Sequence, residues 1–205
     1  MNNTTKIAIA SLGLIGILIT AGQIWQQAKS YTNVRFNFDL NEGRAQVRGD
    51  DTPEINIDPS QPLRLKHGNY RVTTSGENIQ PDTQYFSIDK DTHEITVNFS
   101  YSQEFLNELL DKEKVKINSL IYEKYPKINK LYTTHNQALY HHGEYYGATL
   151  RFRNQSADNR DTLHILAQKI DGEWKLLSTP PVQVLSAPSY PDIPKEILRQ
   201  INLGE

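Results

Sequence analysis

"ALYHHGEYYGATLRF" (Ala138–Phe152) decides the fold of the second half of this chain. It reads as two alternating strands, "KLYTTHNQALYHH" and "EYYGATLRFRN", joined at His142-Gly143. Successive strand residues point to opposite faces. With Leu139 facing the core, His141 shares its side, while Tyr140 and His142 face the other way. The two histidines are therefore expected to diverge and not to hold one ion together. A zinc site would want His-x-His on a strand, or i and i+4 on a helix, with further ligands. His135 and His164 show no spacing that gathers them into such a set. Glu144 with His142 has the residue types of a base and its orienter; the plainer reading is a cross-turn charge pair.

Downstream, "DTLHILAQKI" and "EWKLLST" meet at Asp171-Gly172, the strongest hairpin signal in the chain. "VQVLS" adds a candidate strand. "TPPVQVLSAPSYPDIP" reads as an extended strap pinned by Tyr190 and Ile193, or as a docking ligand for a groove. The strap is favoured because Val182, Val184 and Leu185 want burial. A short terminal helix closes the chain.

Upstream, "SYSQEFLNELLDKEKVKINSLIYEKYP" has helical spacing at Phe105, Leu106, Leu109, Leu110, Ile117, Leu120 and Ile121. Ser100 and Gln103 have capping-box spacing, Asp111 to Lys116 is a point of interruption, and Pro126 ends the helix. A helical segment followed by four antiparallel strands, with the last hairpin reading Asp171-Gly172-Glu173-Trp174, resembles cone-shaped α+β domains. These are the cystatin-like and nuclear-transport-factor-like group. That resemblance implies an architecture that hosts enzymes, binding pockets and scaffold subunits alike.

Before Ser100 the texture is short and alternating: "VRFNFDL", "EINID", "LRLKHGNYRVTTS", "QYFSID" and "HEITVNFSY", with turn signals between. Thr52-Pro53, Pro62-Leu63 and Gly68-Asn69-Tyr70 carry a resemblance to PEGA-type surface modules, with "NEGRAQV" where Pro-Glu-Gly-Ala would fall. The resemblance implies an extracytoplasmic, non-catalytic module. Asp89-Lys90-Asp91 reads as a turn in which aspartate caps its own backbone, with too few ligands in register for calcium.

At the N-terminus, "IAIASLGLIGILITAGQIW" (Ile7–Trp25) carries no charge and would span roughly 28 Å as a helix. An uncleaved signal anchor is expected; a cleaved signal peptide ending at Thr20-Ala21-Gly22 is the rival. Membrane lipid is thus an expected partner through Ile7–Trp25.

The expected fold class is α+β: an N-terminal transmembrane helix, a small antiparallel β-sandwich, then a helix plus a curved antiparallel sheet. The expected divisions are a cytoplasmic tail (1–6), a transmembrane signal anchor (7–25), a linker (26–33), a PEGA-like β-module (34–100) and a cone-like α+β domain (101–205). The chain has 205 residues, net charge −2 and no cysteine. This argues against nucleic acid as a partner and removes thiol chemistry. Nucleophile elbows and phosphate loops are missing from the sequence. The expected function is a non-catalytic binding or scaffold protein of a bacterial cell membrane, single-pass with its domains outside the cytoplasm, working with other envelope proteins. The alternatives are a small-ligand or enzymatic pocket and a cell-wall polysaccharide binder. The expected binding residues are His142, Glu144, Tyr145, Tyr146, Arg151 and Arg153; no catalytic residue, metal or cofactor is expected.

Overall fold

The computed structural model describes residues 30–50, 52–153 and 162–204. The chain divides between Phe99 and Ser100 into two units.

The first unit is built from β1 (Tyr31–Phe38), β2 (Arg44–Gly49), β3 (Thr52–Asn56), β4 (Leu63–Lys66), β5 (Gly68–Ser75), β6 (Asp82–Ile88) and β7 (Glu94–Val97). β1 begins inside the stretch expected to be linker. Alternation puts its Val34 and Phe36 wholly inside and Asn33, Arg35 and Asn37 outside. The strands form two sheets, ordered β4-β1-β7 and β3-β2-β5-β6. Phe36 of β1 meets Phe86 of β6 edge to face, with ring centres 6.0 Å apart, and so joins the two layers. The sandwich is not wholly antiparallel, as was expected. Tyr31–Val34 runs antiparallel to β4, but Arg35–Phe38 runs parallel to β7. First and last strands thus lie side by side, a pairing that no local turn dictates.

The second unit starts with α1 (Gln103–Lys124) and the single turn α2 (Ile128–Leu131). The cap of α1 is Ser102, whose hydroxyl accepts from the Phe105 N–H at 3.2 Å, and not Ser100. The charged middle does not interrupt the helix: Lys114 pairs with Asp111 at 2.6 Å, and Glu113 turns toward the sheet. Tyr125 ends α1 just before Pro126. Then come β8 (Tyr132–Tyr140), β9 (Tyr145–Phe152), β10 (Leu163–Ile170), β11 (Glu173–Leu176) and α3 (Lys195–Leu203). The four strands form one antiparallel sheet, ordered β11-β10-β9-β8.

Both faces of this sheet are covered. Tyr146, Ala148 and Leu150 of β9 and Ile165 and Ala167 of β10 pack toward Leu110, Ile117 and Ile121 of α1. Tyr145 and Leu166 pack toward Leu185, Ile193 and α3 residues Ile197, Leu198 and Ile201. β9 is consequently buried from Tyr145 to Leu150. Each wholly buried leucine or isoleucine contributes about 1.5–3 kcal/mol, so both layers matter to stability. The strap reading holds for Leu185 and Ile193, which are buried, but Val184 is 65% exposed. "VQVLS" adds no strand, only a bridge between Val182 and His164.

The α+β expectation is corrected. Among the described residues the protein is mostly sheet, with eleven strands in three sheets against three helices. The expectation rested on the long helix of the second unit; the described residues of the first unit are strands and turns. The expected anchor Ile7–Trp25 and its tail lie outside the described residues. Among those described, no helix is long and apolar enough to cross a membrane. The transmembrane helix and the single-pass cell-membrane localisation therefore have no support in the structure and are withdrawn.

Candidate functional site

The histidine turn departs from strand logic. β8 and β9 close at Tyr140 and Tyr145, leaving His141 to Glu144 as the loop. His141, His142 and Gly143 all take positive φ, at 44°, 56° and 78°. The Gly143 and Glu144 N–H groups donate back to the Tyr140 and His141 carbonyls at 3.1 and 3.0 Å. Strand alternation lapses in such a left-handed run, so the rings do not diverge: their centres are 4.6 Å apart. Glu144 pairs with His141, not with His142, at 3.0 Å from Nδ1. His142 instead meets the Tyr101 ring at 5.8 Å. Holding two non-glycine residues at positive φ costs about 1–3 kcal/mol each. The His141–Glu144 pair is about half exposed, which makes it a weak electrostatic contact. Among the described residues no group of acidic or histidine side chains is placed to hold a metal.

The other expected binding residues are spread apart. Tyr145 and Tyr146 are core rings on opposite faces of the sheet. The Tyr145 hydroxyl accepts from Gln168 at 3.2 Å, and the Tyr146 hydroxyl donates to Gln137 at 3.1 Å. Burial raises the pKa of both phenols. Arg151 is exposed near one end of the sheet, opposite Thr133. Arg153 donates through Nε to the Tyr132 carbonyl at 3.0 Å. Lys169 lies at the other end of the sheet, where its backbone N–H donates to the Glu144 carbonyl at 2.7 Å. The six residues thus lie on both faces and at both ends of the sheet.

In the first unit, Asp89 caps its own turn. Its carboxylate accepts from the Thr92 hydroxyl at 2.8 Å and the Asp91 N–H at 2.9 Å, and these bonds, the hydroxyl's first, lower its pKa.

A further opening lies in the first unit. It is a groove of about 820 Å³ bounded by Phe36–Phe38 of β1 on one side and by Ala45 and Gln46 of β2 with Asn56 and Ile57 on the other. Its apolar members are mostly sunk: Phe36 and Ala45 are buried and Phe38 half-buried. Its polar lining is mostly amide, from Asn37, Asn41, Gln46 and Asn56, with Arg44 and Ser75 beside them. β4 pairs with β1 only as far as Leu63 opposite Val34, and among the described residues no strand pairs with β1 on that side beyond. Sequence reading passed over β2, although Ala45 and Val47 alternate with Arg44, Gln46 and Arg48. The groove itself had no local signal, because its two walls come from different sheets.

No protein-family model, curated protein or solved structure matches the chain.

Proposed function

We propose that this chain is a non-catalytic binding protein that holds an extended segment of a partner protein in the groove of its first unit. The observation that carries this reading is the position of the groove beside Arg35–Phe38 of β1, which β7 pairs on one side and β4 does not reach on the other. A strand edge offers main-chain donors and acceptors in a row, which an added strand can satisfy. Phe38 and Ile57 supply apolar contact, and the amides of Asn37 and Asn56 supply adaptable hydrogen bonds. The resemblance of this segment to PEGA-type modules, which carry no nucleophile, agrees with a non-catalytic role. A pocket in the second unit is disfavoured because Tyr145 and Tyr146 point to opposite sides of a sheet covered on both faces.

The test places a photo-crosslinking residue in the full chain at Asn37, at Asn56 or, as a control, at the exposed Glu123 of α1. One partner joined through both Asn37 and Asn56, and not through Glu123, supports the reading. Crosslinks confined to Glu123, or none at the groove, overturn it.

A further inference from the structure

The outer face of the four-stranded sheet in the first unit carries an arrangement that folding alone does not favour. Arg48 of β2 stands directly opposite Arg71 of β5, and Arg71 stands directly opposite Tyr85 of β6. Residues directly opposed on neighbouring strands share a face with Cβ atoms about 4.5–5.5 Å apart, and like charges so placed repel. Both arginines are exposed, and among the described residues neither forms an ion pair. Three other arginines do have partners: Arg64 lies over the Tyr31 ring, Arg153 donates to a carbonyl, and Arg199 pairs with Glu196. Tyr85 is 78% exposed, the extreme among the large hydrophobic side chains described. These three residues border one cavity of about 350 Å³, together with Asn69 and a single acid, Asp50. The Asn69 side-chain oxygen Oδ1 accepts from the Ser87 hydroxyl at 2.7 Å, which leaves its side-chain N–H groups for a ligand.

We propose that the Arg48–Arg71–Tyr85 row is a binding site for an acidic saccharide. A sugar carboxylate between the two guanidiniums relieves their repulsion and takes the charge-assisted hydrogen bonds that arginine forms best. The exposed Tyr85 ring is a flat apolar surface for the C–H face of the sugar, and the Asn69 amide donates to a ring hydroxyl. A nucleotide fits less well: there is one exposed ring here, not two to enclose a base. This surface is separate from the peptide groove, and the inference stands without that reading.

The experiment titrates the full-length chain by calorimetry with tetragalacturonate, its neutral galactose counterpart and adenosine monophosphate. Tetragalacturonate binds and the neutral sugar does not. Arg48→Gln, Arg71→Gln and Tyr85→Ala each weaken binding about tenfold or more, as expected for loss of one charge-assisted or stacking contact. No binding of tetragalacturonate, binding indifferent to these substitutions, or tighter binding of the nucleotide overturns the proposal. Thermal unfolding is the second readout. Arg48→Gln removes a like-charge contact, so its Tm equals or exceeds that of the parent; a lower Tm would make the pair structural and also overturn the proposal.

Discussion

Glu113, in the middle of α1, accepts a hydrogen bond from Lys169 Nζ of β10 at 2.8 Å. Its second oxygen accepts from Trp174 Nε1 of β11 at 3.1 Å. One carboxylate thus ties the helix to the Asp171-Gly172 hairpin. Glu113→Ala leaves both donors without an acceptor and is expected to cost about 1–3 kcal/mol. Glu113→Gln keeps a neutral acceptor and costs less, and urea denaturation of the pair checks that order. The Lys169 hydrogen bond, ahead of the Trp174 bond, holds the Glu113 carboxyl below its ordinary value of 4.5. A depressed folded pKa makes this stabilisation fully present above about pH 4.5 and lost as pH falls through the folded value. The stability gap between parent and Glu113→Gln should therefore narrow only below pH 4.5.

Ser178 replaces a strand. β11 pairs with β10 only over Ala167–Ile170. At the next position, the Leu166 N–H donates to the wholly buried Ser178 hydroxyl at 2.9 Å. Ser178→Ala orphans that N–H and is expected to cost about 1–3 kcal/mol in denaturant titration. Ser178→Thr keeps the oxygen and should recover part of the loss.

Gly147 lets α3 dock. A Cβ there would meet the Ile201 side chain, and would lie 3.0 Å from the Tyr140 ring. Gly147→Ala is expected to destabilise by about 1–3 kcal/mol through overpacking. Ile201→Ala in the same chain should return part of this as a favourable coupling in a double-mutant cycle. Simple additivity would place the strain elsewhere.

His164 makes the second unit acid-sensitive. It is 5% exposed and its Nδ1 meets no partner, while the ring also bonds the Ile201 carbonyl. Burial lowers its pKa from the ordinary 6.5, outweighing that bond. The unfolded chain then binds a proton at higher pH than the folded one. Stability falls as pH drops below about 6.5 and levels off once the folded group also titrates. Denaturation midpoints between pH 8 and pH 5 should decline more steeply in the parent than in His164→Asn.

The Asp171-Gly172 hairpin was legible because a two-residue turn is local chemistry: both residues take the positive φ, 53° and 82°, that such a turn demands. Helical spacing placed α1, and alternation placed β1, β5 and β9. The histidine turn misled the same logic, since alternation cannot register where a strand becomes a left-handed loop. Nor did spacing reveal that Glu144 selects His141, which depends on three consecutive positive φ values. The Arg48–Arg71 pair was invisible while β2 was unrecognised.

The sequence by itself determined the local elements of this protein, its cysteine-free chemistry and the division of texture near Ser100. Those features depend on residues within a few positions of one another, where period, capping and turn propensity act. Only the tertiary structure decided that β1 runs parallel to β7, that α3 and the strap cover the second face of the β8–β11 sheet, and that two arginines stand opposed beside Tyr85. Each of these joins residues distant in the chain, where burial and sheet register, not local propensity, select the partner.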